Sequence, residues 1–319
     1  MTYFCWLKIL VQLGFCIRLR NLSPRKEQEK LFEMLLLVAA LILGKTEMEL
    51  GTMGDEIMAA HLAGASYCFS NSIVDGKKYK WQCRHHCDVE ETKGTEIYDY
   101  IYNSDYSVVS LITFNEEKKV IAASFRGTLW VNNMIQDAKM YMASLKGNLP
   151  SFPEEKNADA KAHWGFLQSY LAVRQQVMTA FTALIEKYPD YELYFTGHSM
   201  GAAIAQIASL DALFTFPEAH KRIRNFSFHS TRVGNLAYVK LLDFDVFRFT
   251  HSNDLVSQQP SRFWFGYTHP EHDEFWQLGN KLYRCQGRES NECNNSYKIP
   301  SFNMATHLVF LSVRFHPFC

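Results

Sequence analysis

Apolar positions along this chain fall into two recurring patterns, short unbroken runs and longer segments with helical spacing, and the two alternate. Short runs rich in β-branched and aromatic residues predict strands at Ser107–Phe114, Val120–Phe125, Leu193–Thr196, Asn225–His229 and Val246–His251. Longer segments with apolar residues at helical spacing predict helices at Asp55–Tyr67, Asn132–Tyr141, Phe166–Lys187, Gly201–Phe216 and Leu236–Leu242. Strands alternating with helices in this order indicate one α/β domain, a mostly parallel central sheet flanked by helices. In such sheets, chemistry gathers on loops at the carboxyl ends of the strands.

The first 50 residues stand apart. An apolar run from Phe4 to Ile17 and another from Met34 to Leu43 flank the charged stretch Arg25–Lys30. Neither reaches the ~18–20 residues needed to span a bilayer. Residues 1–50 are therefore expected to be a leader, and residues 51–319 the folded domain. The second run resembles the apolar part of a secretory signal, with Met34 as an alternative start. The competing expectation is a membrane-retained signal anchor built on the first run.

Composition narrows the function. The chain has 319 residues, of which 47% are hydrophobic and 14% aromatic, enough for a substantial core. Lys+Arg and Asp+Glu are both 33, so no global field favours nucleic acid or an anionic membrane. Of the eight cysteines, Cys5 and Cys16 fall in the leader and six in the domain. That even number suggests disulfides in an oxidising compartment. Cys83 and Cys87 flank two histidines, yet no second ligand pair stands at zinc-finger spacing, so a metal is not expected. Asn225 and Asn294 head Asn-x-Ser sequons.

Gly197-His198-Ser199-Met200-Gly201 lies between an apolar strand and a helix. That context suits a nucleophile elbow, a strained turn that lifts a serine hydroxyl above the sheet edge, with glycines on either side to avoid clashes. The alternative is an ordinary Gly-Ser turn. A nucleophilic serine needs a base, and the base needs an acid to orient it. Asp254 follows the strand ending at His251, and His269 comes next, giving the Ser, Asp, His order of α/β hydrolases. His272 is the main rival for the base; Asp243, Asp245 and Asp273 are weaker rivals for the acid. His198, His251 and His307 are read as structural. Ser124–Thr128 ends a strand where its loop would reach the nucleophile, so Thr128 and the backbone N–H of Met200 are the expected oxyanion donors.

Together these segments resemble the class 3 lipases of the secreted fungal triacylglycerol lipase type. The resemblance rests on Tyr67-Cys68, Trp81-x-Cys83 with Cys87, Phe125–Thr128, His163-x-Gly165-Phe166, Gly197–Gly201, Arg232–Asn235, Asp254–Val256, His269-Pro270, Glu274-x-Trp276 and His307-Leu308. It implies an α/β-hydrolase fold and a Ser199, Asp254, His269 triad. It also implies a lid after Thr128, with Leu129, Trp130, Val131, Met134 and Ile135 contacting lipid; a packed core helix is the alternative for that segment. It further implies the disulfides Cys68–Cys319, Cys83–Cys87 and Cys285–Cys293. The chain departs from the pattern at Met200, Ala202, Thr231 and Thr306, and by one extra residue after His269. The implied activity is ester hydrolysis on acylglycerols at a lipid–water interface, in a secreted enzyme with no cofactor, no nucleic acid and no obligatory protein partner. Feruloyl-type or phospholipid esterases on the same scaffold, and a catalytically silent lipid-binding relative, are the competing expectations.

Overall fold

The computed structural model describes residues 45–49, 53–68, 80–83, 85–128, 141–156, 158–263, 266–297 and 304–316. The expected leader up to residue 44, the expected lid with Leu129, Trp130, Val131, Met134 and Ile135, and Cys319 lie outside these residues.

The first strands are β1 (Lys45–Met48), β2 (Thr95–Asn103), β3 (Val108–Asn115) and β4 (Val120–Phe125), followed by short β5 (Met142–Ser144) and β6 (Lys161–His163). Then come β7 (Glu192–His198), β8 (Ile223–Phe228), β9 (Gly234–Asn235), β10 (Asp245–His251), β11 (Tyr267–Thr268), β12 (Glu274–Leu278) and β13 (Lys281–Cys285). A terminal hairpin joins β14 (Val309–Phe310) to β15 (Val313–Arg314). The helices are α1 (Gly54–Ala65), α2 (Trp164–Lys187), α3 (Met200–Thr215), α4 (Leu236–Val239) and α5 (Met304–His307).

Nine strands form the main sheet in the order β1-β13-β12-β10-β8-β7-β4-β3-β2. From β4 to β12 the strands run parallel; the pairings at both margins are antiparallel. The parallel part is the one the alternating pattern predicts, and both of its faces are covered, as parallel sheets require. Alternate residues of β7 serve opposite cores. Leu193 and Phe195 join α2 and α3 on one face, while Tyr194 packs with Met58, Leu62 and Phe249 on the α1 face. Burying one such aromatic side chain contributes about 1.5–3 kcal/mol.

Helix α3 positions the site. Every residue from Gly201 to Ala212 is buried, and the small side chains of Ala203, Ala205 and Ala208 allow close approach to the sheet. Its buried Asp211 is matched by Arg174 of α2, whose Nε lies 2.8 Å away, and by the hydroxyls of Tyr170 and Ser151. A buried carboxylate without such partners would cost about 3–5 kcal/mol, so this cluster locks α3 against α2.

Several boundaries differ from expectation. Lys45–Met48, assigned to the leader by its sequence, pairs antiparallel with β13 as the margin of the main sheet. Strands β2, β12 and β13 had no counterpart among the predicted strands, and the helix beginning at Leu236 is one turn long. The disulfides Cys83–Cys87 and Cys285–Cys293 are present, and Cys68 is also disulfide-bonded.

Candidate active site

Strand β7 ends at His198 and α3 begins at Met200, leaving Ser199 alone at the corner. Its backbone takes φ 59° and ψ −126°, a conformation that costs an L-residue about 1–3 kcal/mol. Two bonds hold it there: the Ser199 N–H donates to the Phe228 carbonyl at 2.9 Å, and the Ala202 N–H donates to the Ser199 carbonyl at 3.1 Å. The flanking glycines are obligatory on packing grounds. A Cβ on Gly197 would lie 2.5 Å from the Gly201 carbonyl, and one on Gly201 would strike the Phe125 carbonyl. The sequence forces a corner and leaves Ser199 Oγ buried, with no hydrogen-bond partner among the described residues.

Phe125 ends β4 beside the elbow, and the chain continues through Gly127 to Thr128. Gly127 presses against the nucleophile: a Cβ there would meet the His198 carbonyl and the Tyr67 hydroxyl, each at 2.5 Å. A hydrogen-bond chain fixes this approach. His198 Nε2 lies 2.7 Å from the His307 carbonyl, which can only accept, so Nε2 carries the proton. His198 Nδ1 must then accept from the Tyr67 hydroxyl at 2.8 Å, and the Tyr67 oxygen accepts the Gly127 N–H at 3.1 Å. Burial, reinforced by His307 and His229, keeps His198 well below the usual imidazole range, as the chain requires. Gly127, the residue before Thr128, is thereby fixed against the elbow, where Met200 supplies the first N–H of α3, a group with no intrahelical acceptor.

Asp254 follows β10 by one turn, with its N–H bonded to the His251 carbonyl at 3.2 Å. Its Oδ1 accepts the Val256 N–H at 2.9 Å, and its Oδ2 accepts the Ser257 hydroxyl at 2.8 Å. Two imidazoles reach that same Oδ2: His307 Nδ1 and His229 Nδ1, each at 2.9 Å. Burial would raise the Asp254 carboxyl, but His307 and the bonds from both imidazoles outweigh it and hold the group well below the usual carboxylate range. His229, Asp254 and His307 are also compact enough to be a metal ligand set. The hydrogen-bond lengths from both Nδ1 atoms, with Ser257 on the same oxygen, instead describe a proton-bridged trio.

His269 sits elsewhere. Its Nε2–H donates to the Ser257 carbonyl at 2.8 Å, and its backbone N–H donates to Glu289 at 3.0 Å. Burial and the neighbouring Arg248 guanidinium hold its imidazole well below the usual range. Glu289 is clamped in turn by both Arg232 Nε and Arg232 Nη2 at 2.7 Å, and this bidentate pair holds its carboxyl low against the effect of burial. His269 therefore braces the Asp254 loop from outside, whereas the imidazole joined to Asp254 from the chain's C-terminal segment is that of His307. Its Nε2 is buried and unpartnered among the described residues, as are His229 Nε2 and Ser199 Oγ. Of the rivals, His272 lines a surface groove with His220 and Asp243, Asp273 pairs with Arg284, and Asp245 is exposed at the start of β10. His251 is structural as expected, bonded to the Val309 carbonyl at 2.8 Å.

A largely parallel sheet with a strained serine at a strand-to-helix corner defines an α/β hydrolase. Residues 122–264 match the family model described as Lipase (class 3), as the motif resemblance implied. Among curated proteins, the Penicillium cyclopium "Secreted mono- and diacylglycerol lipase A" is 29% identical over 59% of this chain and 58% of its own length. The chain thus spans less than two thirds of that relative. Among solved structures, a lipase from Rhizopus microsporus var. chinensis superposes with a TM-score of 0.73 at 25% identity, covering 85% of this chain and 90% of that one. A Rhizomucor miehei lipase propeptide complex gives 0.74 at 23% identity, covering 85% and 84%. No helix among the described residues is long and apolar enough to cross a membrane.

Proposed function

We propose that this chain is a serine carboxylic ester hydrolase acting on acylglycerols, with Ser199 as nucleophile, His307 as base and Asp254 as orienting acid. One observation carries the reading. Asp254 orients two buried imidazoles, His307 and His229, whose second nitrogens have no partner among the described residues, in a molecule whose elbow serine also has none. We take His307 as the base because its ring lies nearer that of His198, the chain neighbour of Ser199, at 4.6 Å against 5.5 Å for His229. His269, the base expected from sequence, has its Nε2 committed to a backbone carbonyl and does not take this role.

In the reaction, His307 Nε2 accepts the Ser199 proton as Oγ attacks the ester carbonyl carbon, and the carbonyl electron pair moves onto oxygen. The Nδ1–H bond to Asp254 stabilises the imidazolium so formed. The N–H groups of Met200 and Thr128 receive the developing oxyanion, each such donor contributing about 3–4 kcal/mol to the transition state. Collapse expels the alcohol, which takes the proton from His307. Water, deprotonated by the same nitrogen, then releases the fatty acid and restores Ser199.

The curated relative named above is a mono- and diacylglycerol lipase, which supports a glyceride substrate. Its name also says it is secreted, and the disulfides fit an oxidising compartment, so we place this protein outside the cell. The test is labelling with a fluorophosphonate probe, combined with hydrolysis of tributyrin, emulsified long-chain triacylglycerol, phospholipid and feruloyl ester. Labelling at Ser199 with glyceride turnover is expected. Folded protein that takes no label would overturn the catalytic reading, and turnover of feruloyl ester or phospholipid alone would reassign the substrate.

A further inference from the structure

We propose that His229 is a positioning residue for this hydrolysis: by donating from Nδ1 to Asp254 Oδ2, it divides that oxygen with His307 and limits how strongly the carboxylate supports a proton on His307. The inference rests on the proposed function, since it takes His307 as the base.

The geometry is specific. His229 leaves the end of β8 with φ 54°, a left-handed conformation that few side chains adopt without strain, and its N–H donates to the Phe249 carbonyl at 2.8 Å. That kink sends the imidazole beneath the elbow, where its ring stands 5.5 Å from those of His198 and His307 and about as far from Phe315 at 6.0 Å. Strain of this kind persists where the surroundings over-determine it, commonly at working sites. The two imidazoles then meet Asp254 Oδ2 at the same distance, 2.9 Å.

Equal access has a chemical consequence. A carboxylate that accepts an additional N–H bond is a weaker base toward every other partner. Burial keeps the His229 imidazole at about 4, although Asp254 pulls upward, so it remains a neutral donor through the neutral and mildly acidic range. It does not titrate with the reaction; it tempers Asp254. The other ionisable groups facing the trio are His198, held neutral within the Tyr67 chain, and His251 at the end of β10, whose Nδ1 is bonded to the Val309 carbonyl. Removing the His229 donor should leave Asp254 a stronger base, favour the His307 imidazolium and make the enzyme lose activity at higher pH as acid is added.

Two substitutions separate donation from packing. His229→Phe keeps an aromatic ring among Phe310, Phe315 and His198 but removes the donor. His229→Asn tolerates the positive φ and retains an N–H donor in the place of Nδ1. We would measure kcat/KM for p-nitrophenyl butyrate from pH 4.5 to 9 for the full chain, with His307→Ala as the control on the assignment of the base. The acidic limb of His229→Phe is expected to move up by about half to one pH unit, and that of His229→Asn to stay near the parent. An unmoved limb in an active His229→Phe enzyme, equal shifts in both variants, or a folded His229→Phe without activity beside an active His307→Ala, which would make His229 the base, would overturn the proposal. Full activity in His307→Ala would instead remove the functional reading beneath it. Should His229→Phe fail to fold, nitrogen-15 NMR of histidine-labelled parent protein decides. Two low-field Nδ1–H signals, one lost in His229→Asn, support the shared carboxylate; an unprotonated His229 Nδ1 refutes it.

Discussion

The sharpest division of roles is between His307 and His269, because both follow Asp254 in sequence and only one is bonded to it. Replacing His307 with Ala removes the group proposed to accept the Ser199 proton. Losses from such replacements reach about 10⁴–10⁶ in kcat, equivalent to roughly 5.5–8 kcal/mol of transition-state stabilisation. Replacing His269 with Ala removes the donor to the Ser257 carbonyl, a 2.8 Å bond inside the protein, and leaves a small cavity. An unpaired buried carbonyl costs about 1–3 kcal/mol and the cavity adds to it, so a loss of roughly 2–4 kcal/mol in stability is expected. In a domain of this size that corresponds to a fall in Tm of roughly 5–15 °C. The assay is hydrolysis of p-nitrophenyl butyrate below both melting temperatures, normalised to the concentration of fluorophosphonate-reactive or folded protein, with Tm measured in parallel. His269→Ala should melt early yet retain most of its turnover per folded molecule, whereas His307→Ala should fold and be inactive. A folded, inactive His269→Ala beside an active His307→Ala would refute the reasoning.

Further outcomes are expected from other parts of the structure. Tyr67→Phe removes the hydroxyl between Gly127 and His198 and should lower kcat about tenfold by loosening the Thr128 loop, read as kcat against KM on a soluble ester. Buried His163 and His229 are held at about 4 and His86 at about 3, so each stays neutral in the folded protein while the unfolded chain gains a proton below about 6.5. Their contribution to stability is complete above that value and is lost as pH falls towards 4 for His163 and His229 and towards 3 for His86, on the order of 1–2 kcal/mol per histidine by pH 5; urea midpoints measured from pH 7 to 5 should decline accordingly. Gly201→Ala should abolish soluble expression or Ser199 labelling, because its Cβ would strike the Phe125 carbonyl. Replacing the pair Cys83 and Cys87 with serine should cost about 2 kcal/mol by the loop-entropy account, less than loss of a bridge closing a long loop, as read from denaturant midpoints.

What the sequence exposed and what it hid follow from the same physics. Val120–Phe125 and the β7 core are apolar on successive residues because both faces of the central sheet are covered, so they stand out in any scan. Strand β2 lies at the sheet margin with Tyr98 and Tyr102 exposed and only Thr95 and Ile101 buried, β12 and β13 are only five residues each, and β1 lies next to an apolar segment that disguised it. The corner at Ser199 and the turn at Asp254 were legible because each is a local feature, a glycine-flanked junction and the turn after a strand. The imidazole that meets Asp254 has no such tie. His269 lies 15 residues after Asp254, but its loop folds so that the ring touches Ser257 from outside; His307 returns from 53 residues away through the segment that precedes β14. The one local signal was the His307-Leu308 pair, already part of the family resemblance. His229 carried no sequence signal, since its role depends on a left-handed kink after β8.

The resulting site is bound together by groups that do not react. One hydrogen-bond path runs from the Gly127 N–H through Tyr67 and His198 to the carbonyl of His307, and so connects the loop after β4, the elbow and the segment carrying the proposed base. A second runs from His269 through the Ser257 carbonyl, while the Ser257 hydroxyl and the Val256 N–H grip the two oxygens of Asp254. The two paths converge on Asp254 and His307 from opposite sides. A displacement that moves the proposed base relative to the elbow would misalign the reacting groups, and misalignment of about 1 Å can cost about a hundredfold in rate. This makes Tyr67 and His269 unequal despite their similar burial: Tyr67 bridges two parts of the catalytic apparatus, so its loss falls on kcat, whereas His269 supports an acid still held by four other donors, so its loss falls on stability.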